Sequence, residues 1–253
     1  MKQNKTCIRL KQTDTESAGY FTARRISMGF RYDTHLHTSQ ASACAFSTGA
    51  EMARAYAAAG YTGIFITDHF FNGNSCIPRD LPWAQRVERF CAGYEDARAE
   101  GEKLGLQVFF GFEFNDSGAE FLIYNLDKQW LLEHENIDRM PTRKALSLMR
   151  QEGGFVVQAH PFRERGYLDH IQLYPRDVDA VEAVNSSHLG EEGRKMNERA
   201  FLYAKMYDLP VTAGSDSHRE AFLPGGVEVT ERFETSRDYQ NAVLTGALTL
   251  LDG

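Results

Sequence analysis

The chain has 253 residues, 42% hydrophobic and 25% charged, and its 28 Lys and Arg against 35 Asp and Glu give a net charge of −7. Such values exclude a disordered or collagen-like chain, and the acidic balance argues against gripping long nucleic acid through a broad basic face. The length suits one α/β barrel, a fold that often takes about 200–250 residues.

Residues 1–28 are polar and without period, so they are expected to form an N-terminal extension to a barrel domain over residues 29–253. Phe30–His35 reads as a strand. Thr48 and Glu51 form a capping box ahead of the Ala-rich stretch Ala50–Ala59, and Gly60 stands where a helix C′ residue belongs. Thr62–Thr67 is a short apolar run of the kind buried on both faces of a sheet. Pro82 opens a helix expected to reach Leu104 and stop at Gly105. Gln107–Phe114 and Glu120–Leu126 read as strands, Thr142–Glu152 as a helix, and Phe155–Ala159 and Val178–Asn185 as strands. A polar helix over Glu191–Tyr207 leads to a strand at Pro210–Gly214, then a strand over Val227–Phe233 and a helix over Ser236–Thr245. This alternation implies parallel strands with right-handed crossovers, hence an α/β barrel; an open doubly wound sheet is the alternative.

Histidines and carboxylates gather at the strand ends. His35 and His37 stand two apart, on one face of a strand, where both can chelate one metal. Asp68-His69 follows the apolar strand at 62–67, the place where barrel active sites form. Glu113 is a carboxylate in an otherwise apolar strand, and a buried Glu calls for a cation or a partner. His160 and the run Gly214-Ser215-Asp216-Ser217-His218 end two further strands. Five such coincidences supply more ligands than one ion can use. Imidazole with carboxylate suits two or three divalent ions of Zn, Mn or Fe, with Mg less suited. Paired ions activate water and clamp phosphate.

In this order, His35-Leu36-His37, Thr67-Asp68-His69, Gly111-Phe112-Glu113, Gln158-Ala159-His160-Pro161 and Gly214-Ser215-Asp216-Ser217-His218 resemble the polymerase-and-histidinol-phosphatase (PHP) superfamily of metal-dependent phosphoesterases, from about Tyr32 onward. The resemblance implies a distorted (β/α)7 barrel with the metals at the strand C-termini. It makes Glu113 the bridging ligand and assigns His35, His37 and Asp216 to the first ion, His160 to the second, and His69 and His218 to a third. Asp68 is expected to orient a ligand or to bind metal itself. Two places depart from the family pattern. Cys44 stands where many relatives have a histidine, as a zinc thiolate or a small buried thiol. Glu120 likewise stands before the strand at 121–126, as a ligand of the second ion or an exposed strand start.

Around this set, Arg163 is a candidate fork for a substrate phosphate, and Asn185 and His188 are candidate substrate contacts. His134 and His170 read as surface residues, and Phe70, Phe71 and Trp83 as packing residues or pocket lining. The implied activity is hydrolysis of a small phosphomonoester through a metal-bound hydroxide, with Asp216, His218 and Arg163 in the catalytic set. An exonuclease or nucleotide phosphatase acting on the 5′-phosphate end of a short oligonucleotide is one alternative, and a non-catalytic, metal-stabilised module another. No apolar run approaches the ~20 residues that cross a bilayer, and the N-terminal stretch lacks the apolar core of a signal peptide. The four cysteines, Cys7, Cys44, Cys76 and Cys91, include no CxxC pair. A cytoplasmic protein without a membrane partner is therefore expected; the oligomeric state is left open.

Overall fold

Helices begin where the chain supplies a cap and end where it supplies a left-handed residue. The computed structural model describes residues 29–166, 168–221 and 224–252, so the expected extension over residues 1–28 lies outside the described residues. In chain order the elements are β1 (Phe30–Leu36), α1 (Gly49–Ala58), β2 (Gly63–Ile66), α2 (Trp83–Leu104), β3 (Gln107–Asp116), β4 (Ala119–Tyr124), α3 (Lys128–Glu133), α4 (Thr142–Gln151), β5 (Phe155–Ala159), β6 (Ala180–Asn185), α5 (Gly190–Tyr207), β7 (Val211–Gly214), β8 (Gly226–Val229), α6 (Ser236–Thr245) and β9 (Thr249–Leu251). Thr48 caps α1 in the expected box with Glu51. Gly105 closes α2 at φ 73°, a left-handed conformation that costs glycine nothing.

The strands form one sheet in the order β7-β6-β5-β4-β3-β2-β1-β8-β9. The segment after β7 returns to β1 and closes the mouth of the barrel. Asp216 N donates to His35 O at 2.9 Å and His37 N to Ser217 O at 3.0 Å. Helices pack outside: Met52, Ala53 and Tyr56 of α1 lie on Leu36, Ile64 and Ile66, and Ala200, Tyr203 and Ala204 of α5 on Val181 and Ala183. The expected class, an α/β barrel, therefore holds.

The details depart from seven parallel βα units. β4 runs antiparallel to both β3 and β5. Only Ser117 and Gly118 separate β3 from β4, both at positive φ, as a two-residue hairpin turn requires. A parallel return needs a crossover of a dozen residues or more. β8 and β9 add a further antiparallel pair beside β1. The strand expected over Val227–Phe233 ends at Val229, because the chain turns under the barrel. There Phe233 stacks on Tyr32 at 4.2 Å, and its backbone N donates to the Tyr32 hydroxyl at 2.9 Å.

Inside the barrel, the end opposite the mouth is filled by Phe65, Leu122, Tyr124, Phe155, Val157, Val227 and Tyr239. Tyr239 comes from α6, which plugs this floor. Its ring lies 5.0 Å from both Phe65 and Tyr124, and its hydroxyl pairs with Thr212 at 2.8 Å. Phe70, Phe71 and Trp83 are buried in the layer outside β3 with Phe90, Phe112 and Phe114; they are packing residues.

Candidate metal centre

Side chains on one strand face run from floor to mouth. In β4, Tyr124, Leu122 and Glu120 follow each other inward-facing, opposite Gly111, Glu113 and Asn115 of β3. The same pleat thus carries a phenol at the floor and carboxylates at the mouth.

In β1 simple alternation fails. Tyr32 faces in, yet Leu36 packs outside against Met52 and Tyr56. Between Asp33 and Leu36, β1 has one residue more than β2. This bulge shifts the phase, so that His35 and His37 face in. β6 carries a matching irregularity between Glu182 and Val184. It places Glu182 and Asn185, three residues apart, on the inner side together.

The result is a buried cluster. Four overlapping groups have potential ligand atoms within 4.8 Å of one another: His35, His37 and Glu113; His35, His160 and Asp216; His69, Glu113 and Glu120; and His37, His69 and His218. Glu113 lies at the centre. Its Oε1 is 3.2 Å from His160 Nε2 and 3.3 Å from His35 Nε2. Its Oε2 is 2.6 Å from His69 Nδ1 and 3.7 Å from His37 Nε2. Asp216 Oδ1 lies 3.2 Å from His37 Nε2 and 3.5 Å from His35 Nε2. Glu120 Oε2 lies 3.5 Å from His160 Nε2, so Glu120 faces the cluster rather than an exposed strand start. His160 and Asp216 have φ of 25° and 57°. Non-glycine residues pay for such backbone, which concentrates at functional sites.

The electrostatics show what this cluster lacks. Burial opposes a charge on Glu113, yet His69 and His35 hold its carboxyl well below the usual range. Burial opposes a charge on His35 too, but Glu182 and Glu113 push its imidazole up to about 10. Burial, with His69 and His218 adding, holds His37 well below its ordinary value. Burial and Arg163 bring His160 down to about 3, while burial and the charge of Glu113 push Glu120 up to about 7. His69 Nδ1 and Glu113 Oε2, 2.6 Å apart, and Asp216 Oδ1 are buried without a well-aligned hydrogen bond. Donors and acceptors left in this way are costly unless something else satisfies them. Five histidines and three carboxylates, with lone pairs aimed at one another, are a donor set that fits divalent cations.

A surrounding layer orients the donors. Glu182 Oε1 accepts from His35 Nδ1 at 2.9 Å, which turns Nε2 toward the cluster. The other Glu182 oxygen accepts from His160 N at 3.1 Å and Asn185 Nδ2 at 3.0 Å. Burial opposes its charge, but His35 brings Glu182 down to about 2. Glu182 is the main residue the sequence reading missed. The signal was present, because Glu182 is a carboxylate inside an apolar strand just as Glu113 is. Asp68 lies outside the four groups. Its oxygens accept from Thr38 N at 2.6 Å, Thr38 Oγ1 at 2.7 Å and Ser42 Oγ at 2.7 Å. Ser42 Oγ in turn lies 3.3 Å from His37 Nδ1. Asp68 thus stands behind His37, with Ser42 between them.

Arg163 reaches the rim, where its guanidinium pairs with Asp216 and donates to Ser187 Oγ at 3.3 Å; its Nε is buried and unpartnered. Asn185 Nδ2 lies 3.5 Å from Asp216 Oδ2. His188 Nδ1 meets Asn197 Oδ1 at 2.9 Å, leaving Nε2 buried and unpartnered. Cys44 is half-buried and joins none of the four groups; burial opposes its ionisation, but the imidazoles of His218 and His69 bring the thiol down to about 6. His134 stacks on Trp130 at 4.0 Å, away from the cluster, and His170 is exposed. Among the described residues no helix is long and apolar enough to cross a membrane.

A family model described as PHP-associated matches residues 194–238. No curated protein matches the chain. Among solved structures, the chain is similar to a two-domain protein from Bacteroides vulgatus containing a predicted PHP-like metal-dependent phosphoesterase, at TM-score 0.64 and 17% identity over 87% of this chain. The chain spans 64% of that protein's length. PsfC from Pseudomonas syringae is similar at TM-score 0.58 and 18% identity, over 88% of this chain and 91% of its own. A candidate metal-dependent phosphoesterase from Bifidobacterium adolescentis is similar at TM-score 0.54 and 16% identity, over 85% of this chain and 96% of its own. At such identities the likeness is one of fold.

Proposed function

We propose that the chain is a member of the PHP superfamily and a metal-dependent phosphoesterase acting on a small phosphomonoester, as histidinol phosphatases do; the PHP-associated match and the likeness in fold support this reading. The convergence of five histidines and three carboxylates at the barrel mouth carries this reading. His35, His37, Glu113 and Asp216 would hold one ion, Glu113, His160 and Glu120 a second, and His69 and His218 a third. Bound there, divalent ions supply water of lowered pKa and positive charge against a phosphoryl group.

The chain's own residues do the rest. Glu113 presents one oxygen to each side of the cluster, the arrangement a bridging ligand needs. Glu182, Asn185 and Ser42 fix the rings and carboxylates in orientation, so little reorganisation is needed at the moment of reaction. Arg163 stands at the rim between Asp216 and Glu120, and its guanidinium fork would take phosphate oxygens in exchange for one of these pairings. Asn185 and His188 lie on the same side and would contact the rest of the substrate.

The experiment is a screen of phosphorylated metabolites and 5′-phosphorylated oligonucleotides with metal-replete and chelated protein. Turnover of a phosphomonoester that chelation abolishes and metal restores is the expected result. Turnover confined to oligonucleotides would move the substrate to the nuclease alternative. Wild-type turnover by protein shown to be metal-free would overturn the mechanism.

A further inference from the structure

We propose that the chain pairs with a second copy of itself through the outer face of α5, as a two-fold dimer in which the two helices run antiparallel.

The buried side of α5 carries Met196, Ala200, Tyr203 and Ala204, so the opposite side of the helix is left to the surface. Toward its C-terminal end that surface is apolar, where a helix of this kind is ordinarily polar. Among the described residues nine large apolar side chains are exposed, and four of them, Phe201, Leu202, Met206 and Tyr207, lie within two turns of α5. Leu202 is 64% and Met206 76% exposed. Single exposed apolar side chains need no explanation, but a cluster of them marks an interaction surface. A groove of about 550 Å³ beside α5, lined by Phe201, Leu202, Leu209 and Val211 among others, continues the apolar surface onto β7.

The charges on this face select the partner. Glu198 and Lys205 are both exposed. They stand seven residues apart, about two helical turns, and so lie on one stripe of the helix with Phe201 and Leu202 between them. Lys195 pairs with Glu191 and Glu192 of its own helix, and Arg199 with Glu164. Among the described residues Glu198 and Lys205 enter no such ion pair. A second copy of α5, turned end to end about an axis passing between residues 201 and 202, sets Glu198 of each copy against Lys205 of the other. Two ion pairs then close around the apolar centre, where Leu202 meets Leu202 and Phe201 meets Phe201. A parallel pairing would instead set like charges against each other, so the pattern favours the antiparallel one. A two-fold interface requires a patch complementary to itself, and this stripe has that property. One pair of helices buries little beside the standard interface of about 1,600 Å², so the dimer is a reversible one.

Sedimentation velocity of the full chain over about 1–100 µM is the test, the range in which a small interface dissociates. The mass of the wild type should rise from one chain toward two. Glu198→Lys and Lys205→Glu each set like charges opposite one another at both ends of the interface, and each should weaken pairing by about tenfold. The double reversal E198K/K205E exchanges the two ends and should restore wild-type pairing. Leu202→Glu should stay a monomer throughout, with the circular dichroism of the wild type; the charge variants, both at exposed positions, carry the test if Leu202→Glu fails to fold. A wild type that remains a monomer across the range would overturn the proposal. So would a dimer indifferent to the single reversals or to a folded Leu202→Glu, or a double reversal that pairs no better than the single ones.

Discussion

The two ends of one barrel are built from the same strands and follow opposite rules. At the floor, Phe65, Leu122, Tyr124, Phe155, Val157 and Tyr239 interdigitate, and the two phenols find partners in Thr34 O at 2.8 Å and Thr212 at 2.8 Å. At the mouth, a few residues along the same chains, charged and polar groups face one another, several with buried atoms that lack a well-aligned hydrogen bond. The phenols of the floor are paired as they stand; the donor set of the mouth suits added cations. Apolar burial at one end offsets the cost of burying charged and polar groups at the other.

The sharpest way to break this contrast is to remove what the mouth needs. Chelation of the wild type should abolish phosphomonoester hydrolysis reversibly. Asp216→Ala should lower kcat by at least about 100-fold, since a misplacement of about 1 Å already costs that much. Circular dichroism should stay near wild type, because the mouth is not the packed core. An Asp216→Ala protein with wild-type kcat would dissolve the distinction.

The converse experiment strikes the floor. Phe155→Ala should cost about 3–5 kcal/mol of stability, as large-to-small changes in packed cores do. Metal content per folded chain should be unchanged. Denaturant unfolding and metal analysis on one sample check both halves; lost metal at retained stability would show that the ends are not separable.

Glu182 stands on the border between the two ends, which gives a smaller and more specific effect. Glu182→Gln should weaken metal binding by about 10–100-fold, the usual cost of losing the carboxylate behind a ligating histidine. In chelated protein the Glu182–His35 pair also makes a pH-dependent contribution to stability. The carboxylate is lowered to about 2, so its part is present above the unfolded value near 4.3 and is lost as pH falls through about 2. The imidazole is raised to about 10, so its part is present below about 6.5 and is lost as pH rises through about 10. The stability gap between wild type and Glu182→Gln should therefore be largest between about pH 4.3 and 6.5 and should shrink by pH 9. A gap that grows with pH would place the proton elsewhere.

The smallest expected effect is at the rim. Arg163→Ala should lower kcat/KM by about tenfold, equivalent to about 1.4 kcal/mol, with metal content retained. Unchanged kinetics would make the Arg163–Asp216 pair a structural contact alone.

Reading the chain by itself reached the α/β class, the capped start of α1, both ends of α2 and the limits of α6, because those signals are local: a capping box, a glycine in the left-handed region, a proline at an entry. It also named every residue of the four buried groups, because histidines and carboxylates at the ends of apolar runs are costly without a purpose. It did not reach the direction of β4, whose two-residue link to β3 leaves no room for a crossover. Nor did it reach Glu182. In an alternating strand, residues three apart face opposite sides, so Glu182 and Asn185 would not point to one site. Likewise Tyr32 and His35 would be on opposite faces of β1. Bulges in β1 and β6 reverse both expectations, and a bulge depends on how neighbouring strands pair. Which residues carry the chemistry was thus a property of the sequence. Which way each one faces, and which carboxylate stands behind which imidazole, was decided by strand pairing across the closed barrel, where one extra residue turns a side chain from helix layer to mouth.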